Sequence, residues 1–204
     1  MDINQFVKDK QLVIFELDNV LFPSKDYLLQ VYYLFAQFIE YSEQKNAQQI
    51  LDFMRSEYES AGAENLFEKT AAKFEISETF KHNFDLLHEN ARLPLKLLLY
   101  KNMLDFMQDL VVDRKTIYIV TSGNPLQQLN KIKQTEWNGL EKYLTVFFTE
   151  ELNLPKSEIF NNILTTNNLS AKEALVVGAN NFDEEQSKLI NLPYIVSLEI
   201  YNKL

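Results

Sequence analysis

Five side chains in this 204-residue sequence have the types and placement to act on a phosphate ester. Glu16 and Asp18 lie two residues apart, directly behind the apolar run Leu12–Phe15. Residues two apart on an extended chain point the same way, so both carboxylates face one site if the strand continues through them. Thr121 ends a second run, Ile117 to Val120, and is followed by Ser122, Gly123 and Asn124. Lys156 stands three residues before the pair Ile159-Phe160, and Asp183 follows a further run, Ala174 to Val177, by way of Gly178 and Ala179. Carboxylates, a hydroxyl and an ammonium are the groups that phosphoryl chemistry uses together with a hard cation such as Mg2+.

Such residues act together only if the fold brings them together. The runs Leu12–Phe15, Ile117–Val120 (opened by Thr116), Leu144–Phe148, Ala174–Val177 and Tyr194–Val196 are apolar and rich in β-formers. Continuous apolarity marks strands buried on both faces, as in a parallel sheet. Helical patterns separate the later runs. One spans Pro125 to Trp137, with Asn124 as N-cap and proline at the first helical position, and shorter ones span 157–164 and 183–190. Alternation of this kind builds a parallel sheet with helices on both faces, whose chemistry gathers at the carboxyl ends of the strands. Residues 23–93 break the rhythm. Leu28, Val31, Phe35, Phe38 and Ile39 recur at helical spacing, as do Ile50, Phe53, Met54 and Tyr58, and again Phe80, Phe84 and Leu87. This predicts a bundle of about four helices, with Ser24 as the cap of the first. Pro94 precedes a further helix, Leu95 to Leu110, leading back to the sheet. The expected fold is α/β, a doubly wound parallel sheet with an inserted all-helical unit. Residues 1–22 and 94–204 form the core and residues 23–93 the insertion.

The formal net charge of −9 disfavours nucleic acid and membrane surfaces as partners. It leaves room for a small anion, which a local lysine and backbone N–H groups can hold. The absence of cysteine excludes disulfides, thiolate metal sites and a cysteine nucleophile. Met1 to Lys10 is polar and lacks an apolar signal core, and the apolar runs are far shorter than a bilayer span. A cytoplasmic location is expected. Nothing in the sequence names a protein partner.

The order and spacing of these motifs resemble the haloacid-dehalogenase superfamily of phosphatases and related hydrolases, from Phe15 to Asp183. FELDNVLF is similar to the family's FDLDNTL, with Glu16 in the place of the nucleophilic aspartate. IVTSGNP is similar to its second motif, and Gly178-Ala179 followed by Asp183 to its Gly-Asp-x-x-x-Asp. The insertion corresponds to the family's helical cap, and the sheet to its Rossmann-like core. The resemblance implies that the first carboxylate, here Glu16, attacks phosphorus, that Asp18 acts as acid and base, that Thr121 binds the phosphoryl oxygens, and that a lysine neutralises charge. Ser122, Gly123 and Asn124 then face the substrate, a small phosphorylated molecule. The implied cofactor is Mg2+, held by the first motif and by the position that Ala179 occupies. With Ala179 supplying no ligand, Glu16, Asp18 and Asp183 are the set left for a metal.

Three departures bear on activity. Glu16 moves the attacking oxygen by about one C–C bond, roughly 1.5 Å, and a shift of about 1 Å can cost on the order of 100-fold in rate. Ala179 removes a metal ligand. Gapless alignment on Ile159-Phe160 puts Leu154 in the lysine's place, and Lys156 recovers that role only if the loop is two residues shorter. Two functions are therefore expected from different classes: a weak or specialised phosphatase, or a catalytically impaired relative that binds an anionic ligand or a protein partner. Carbon–halogen hydrolysis is a third, and Glu16 counts against it too. Plainer roles stand beside these. Glu16 can be a partner for Lys156, Asp18 a turn cap, Thr121 a turn hydroxyl, and Gly123 and Gly178 backbone devices. His82 and His88, six apart, lack the spacing of a helical metal pair.

Overall fold

Leu12 to Phe15 is the centre around which the chain is laid down. In the computed structural model, which describes residues 6–201, all four side chains are buried. The two-residue period of a strand divides them. Leu12 and Ile14 pack with Ile159, Phe160, Ile163 and Leu164. Val13 and Phe15 pack with Met103, Phe106, Met107 and Leu110. A strand covered on both faces has no polar side, which is why its sequence does not alternate.

The elements follow in the order β1 (Leu12–Phe15), α1 (Ser24–Glu43), α2 (Ala47–Ala61), α3 (Leu66–Phe74), α4 (Lys81–Asn90), β2 (Leu97–Leu98), α5 (Lys101–Val112), β3 (Thr116–Thr121), α6 (Pro125–Gln134), β4 (Thr135–Glu136), β5 (Leu144–Phe148), α7 (Thr149–Leu152), α8 (Lys156–Thr166), β6 (Ala174–Gly178), α9 (Asn181–Lys188), β7 (Tyr194–Val196) and α10 (Leu198–Tyr201). Short 3-10 turns precede α4, β5 and β6. The main sheet runs β5-β3-β1-β6-β7, with every pairing parallel. Phe15 lies level with Ile119 of β3 and Val177 of β6. Beyond this level β6 continues for one residue and β3 for two, so the carboxyl ends of the three central strands gather at one edge. This is the α/β sheet that the sequence implied.

The helices α1 to α4 bury an apolar cluster of their own around Tyr32, Phe35, Ile50, Met54, Phe67 and Phe84. Tyr27 and Val31, at the start of α1, belong instead to the cluster on the sheet. Three expectations are corrected here, the third being a helix that runs from Pro125 to Trp137. Ser24 does not cap α1: Pro23 holds the N-cap position, while the Ser24 N–H and hydroxyl both donate to Asn19 Oδ1 at 3.0 Å. Nor is 95–110 one helix. The Tyr100 N–H donates to the Leu21 carbonyl at 2.8 Å, and Leu97–Leu98 pairs in parallel with Thr135–Glu136. These contacts hold the segment after Pro94 extended, so α5 begins at Lys101 and α6 gives way to β4 after Gln134.

Turns in this glycine-poor chain are made largely by asparagine. Asn19, Asn65, Asn138, Asn153, Asn168 and Asn191 all take positive φ, which asparagine tolerates better than most residues. Asn124 has a different task. Its side chain accepts the Leu126 and Gln127 N–H groups at the head of α6 and donates to Glu89 of α4. Replacing Asn124 by alanine removes this cap and is expected to cost about 1 kcal/mol, read as a lower midpoint in urea unfolding with an unchanged slope.

Candidate active site

Strand β1 ends at Phe15, but the ladder continues one step, since the Glu16 N–H donates to the Val177 carbonyl at 3.0 Å. The Glu16 side chain then turns into the space beyond β3 and β6. Its Oε1 accepts the neighbouring Leu17 N–H at 2.8 Å, and its Oε2 accepts from the Lys156 ammonium. Lys156 also donates to Asp183 Oδ1 at 2.6 Å. Lys156 is 3% exposed and Asp183 1%. A lysine this deep in a protein needs carboxylate partners, because an unpaired buried charge is costly. Of Lys156 and Leu154, it is Lys156 that meets the two carboxylates; Leu154 packs into the apolar layer beside Ile159.

Asp183 is set from its own helix. Asn180 Oδ1 accepts the Asp183 N–H at 2.9 Å and caps α9. The approach of α9 to β6 needs the glycine at 178, since a Cβ there would lie 2.8 Å from Asp183 Cβ and 2.7 Å from Tyr194 Cε2.

The protonation of this trio follows from burial and charge. Desolvation pushes the Glu16 carboxyl above its ordinary value of 4.5, against the pull of Lys156, Thr121 and the Leu17 N–H. Burial works against the Lys156 ammonium, yet Glu16 and Asp183 together hold its pKa above the ordinary lysine value. The Thr121 hydroxyl is fully buried. It lies close enough to Glu16 to help lower its pKa, without a hydrogen bond of regular geometry.

Asp18 is not part of this cluster. It forms an isolated bridge with Phe22, and its Oδ2 accepts from Lys131 at 2.6 Å and from Gln128 at 2.9 Å. Both partners are on α6, and both are 4% exposed. The Lys131 ammonium also lies over the Tyr27 ring of α1, 5.3 Å from its centroid. Asp18 Oδ1 and Gln128 Oε1 are buried and meet no donor among the described residues. Of the residues expected to face substrate, Ser122 is half-buried and Gly123 and Asn124 are exposed. The Thr149 hydroxyl lies 3.1 Å from Ser122 Oγ and also donates to Glu150 Oε2. Partial burial works against the Glu150 charge, but bonds from Thr149 and the Gly123 N–H hold its carboxyl below the ordinary value.

A divalent cation does not fit this arrangement. The Lys156 ammonium lies between Glu16 and Asp183, Asp18 is engaged by Lys131 and Gln128, and Ala179 offers no side-chain donor. Among the described residues, no group of three or more histidine, cysteine, aspartate or glutamate side chains is placed to hold a metal ion. Of the expected set, Asp18 is bonded to Lys131 and Gln128 of α6, whereas Glu16 and Asp183 share Lys156. Lys131 and Gln128 belong to no motif that the sequence displays. Their only sequence signal is position: they lie seven and four residues after the Asn124 cap, where a helix entering from the strand ends turns back towards the site. His88 packs edge-on against Phe84, with centroids 4.7 Å apart, and burial depresses its pKa to about 4.

Comparison with known proteins gives the family and the fold. The sequence profile of the haloacid dehalogenase-like hydrolases matches residues 13–197. The chain belongs to this family. It is 27% identical to a glyceraldehyde 3-phosphate phosphatase of Pyrococcus abyssi, in an alignment covering 51% of this chain and 51% of that protein. The chain thus matches about half the length of that curated relative. Its fold is similar to that of a haloacid-dehalogenase-family phosphatase of Thermococcus onnurineus (TM-score 0.54, 17% identity, 90% of this chain and 84% of that one). It is also similar to a family enzyme of Bacteroides thetaiotaomicron in complex with magnesium and inorganic phosphate (TM-score 0.54, 14% identity, 92% and 93%). No helix among the described residues is long and apolar enough to cross a membrane.

The titration of Glu16 gives a test. Its folded-state pKa is raised, so between 4.5 and that higher value the unfolded chain is ionised while the folded chain keeps its proton. Stability therefore falls as pH rises through this window. Glu16→Gln cannot ionise and escapes the loss. Urea unfolding from about pH 4 to about pH 8 is expected to show the variant gaining on the wild type as pH rises; a constant difference would mean that Glu16 titrates normally.

Proposed function

We propose that this chain is a phosphatase-type member of the family that binds a small phosphorylated molecule at the strand ends and hydrolyses it slowly at most, without magnesium assistance. One observation carries the reading: the Lys156 ammonium is lodged between Glu16 and Asp183, with the Ala179 N–H donating to Asp183 Oδ2. Metal-assisted transfer places a divalent ion against phosphoryl oxygens and acidic ligands. Here the acidic groups are already neutralised from within. The nucleophile position adds to the impairment, since the Glu16 carboxylate is bonded to Leu17 and Lys156 rather than free to attack. A ligand role is supported by the buried acceptors Asp18 Oδ1 and Gln128 Oε1. Such groups are ordinarily paired, and a hydroxyl on a bound ligand would supply the missing donor.

The second reading is an active phosphatase, favoured by the similarity to the Pyrococcus abyssi enzyme. Turnover of an aryl phosphate by the pure, folded protein, measured with and without Mg2+ or Mn2+, separates the two. Little or no turnover, and no dependence on metal, is the expected result. A rate that rises at least about 100-fold with metal, the scale of a misplaced catalytic group, would decide for the active enzyme.

A further inference from the structure

Helix α6 reverses the usual distribution of side chains. It buries Gln128, Asn130 and Lys131 and leaves Leu126 and Leu129 facing outward, 53% and 36% exposed. A helix at the surface of a soluble protein ordinarily turns its apolar stripe inward. Polar groups are costly to bury unless they are hydrogen-bonded. Asn130 meets that condition through the Ala91 carbonyl and the Tyr27 hydroxyl. Gln128 meets it on one side alone. Its Nε2 donates to Asp18 Oδ2 at 2.9 Å and to the Ser122 carbonyl at 2.6 Å. Those two acceptors fix the orientation of the amide, since turning it over would set its oxygen against both. Gln128 Oε1 is left buried with no donor among the described residues, and so is Asp18 Oδ1.

The missing partner has to donate to these oxygens beside a charge. The Lys131 ammonium, bonded to Asp18 Oδ2 at 2.6 Å, repels a metal ion or a ligand amine. A hydroxyl is neutral. It can donate to either oxygen and accept from an ammonium N–H in the same position. The Asp18 side chain is 24% exposed, so the cluster borders solvent there. It also lies beside the strand ends, because the carbonyl that anchors Gln128 belongs to Ser122, the residue after Thr121. We infer that Gln128, with Asp18 and Lys131, selects the alcohol part of the ligand: a phosphate ester of a polyol, with a free hydroxyl that donates to Gln128 Oε1 or Asp18 Oδ1. The inference rests on the proposed binding of a phosphorylated molecule, and adds the class of alcohol and the residue that reads it. A simple alkyl phosphate would leave the buried oxygens unpaired, a cost that the polyol ester escapes.

Three esters of one carbon skeleton test it: glycerol phosphate, its dimethyl ether and propyl phosphate. Each is titrated into the full chain in the presence of a chelator, and the heat of binding is followed. The ether keeps the oxygen acceptors of glycerol phosphate and lacks its donors. Glycerol phosphate is expected to bind at least about 10-fold more tightly than either of the others, the scale of one hydrogen bond to a buried acceptor. Most of that preference is expected to disappear in Gln128→Met. Equal affinity for glycerol phosphate and propyl phosphate overturns the inference and leaves the proposed function standing. An ether that binds as tightly as glycerol phosphate does the same, as does a preference unchanged in folded Gln128→Met. Should that variant not fold, the three esters on the wild type decide alone. Absence of binding by all three overturns the proposed function, and this inference with it.

Discussion

The buried ammonium of Lys156 is the constraint on which this site depends. It leaves water at the start of α8 and ends between carboxylates from two other elements, Glu16 after β1 and Asp183 in α9. Desolvation of such a charge is costly enough that one carboxylate rarely compensates fully, and here two share it. The consequence is mechanical as well as electrostatic. The loop before α8, the end of β1 and the first turn of α9 cannot shift independently without exposing an unpaired charge to an apolar interior. The packing around them is arranged to match, with Gly178 letting α9 close onto β6 and Asn180 holding its first turn.

A second buried charge ties the sheet to the helices of residues 24–90. Helix α6 places Gln128, Asn130 and Lys131 in the interior, a polar face where most helices would carry leucine. Lys131 and Gln128 reach Asp18. Asn130 donates to the Ala91 carbonyl at 3.0 Å and to the Tyr27 hydroxyl, and that hydroxyl donates to the His88 carbonyl. The inserted helices therefore meet the sheet through hydrogen bonds of specific geometry as well as through the apolar contact of Tyr27 and Val31.

How much of this is legible in the residues depends on the range of the interaction. The strands are legible because burial on both faces leaves an unmistakable apolar run, and the α6 cap because Asn124-Pro125 states it locally. Glu16, Thr121 and Asp183 stand out because each follows such a run closely. The choice between Leu154 and Lys156 is not legible, since a two-residue difference in loop length is invisible until the lysine is seen to find its carboxylates. Asp18 escapes for a similar reason. Residues two apart face the same way only while the strand lasts, and here it stops at Phe15. The extended course of 94–100 is equally hidden, because its hydrogen bonds go to Leu21 and β4, far away in sequence.

The asparagine turns have a thermodynamic side that contacts alone do not reveal. Asn153 takes a left-handed conformation, φ 52°, three residues before Lys156, a position where glycine would fit without strain. Glycine there would give the unfolded chain many more conformations to surrender. With asparagine, and with Pro155 next to the lysine, the segment that delivers the ammonium starts from a narrower ensemble. Part of the cost of seating a charge in the interior is thus lowered before folding begins, in the disorder that the loop never had.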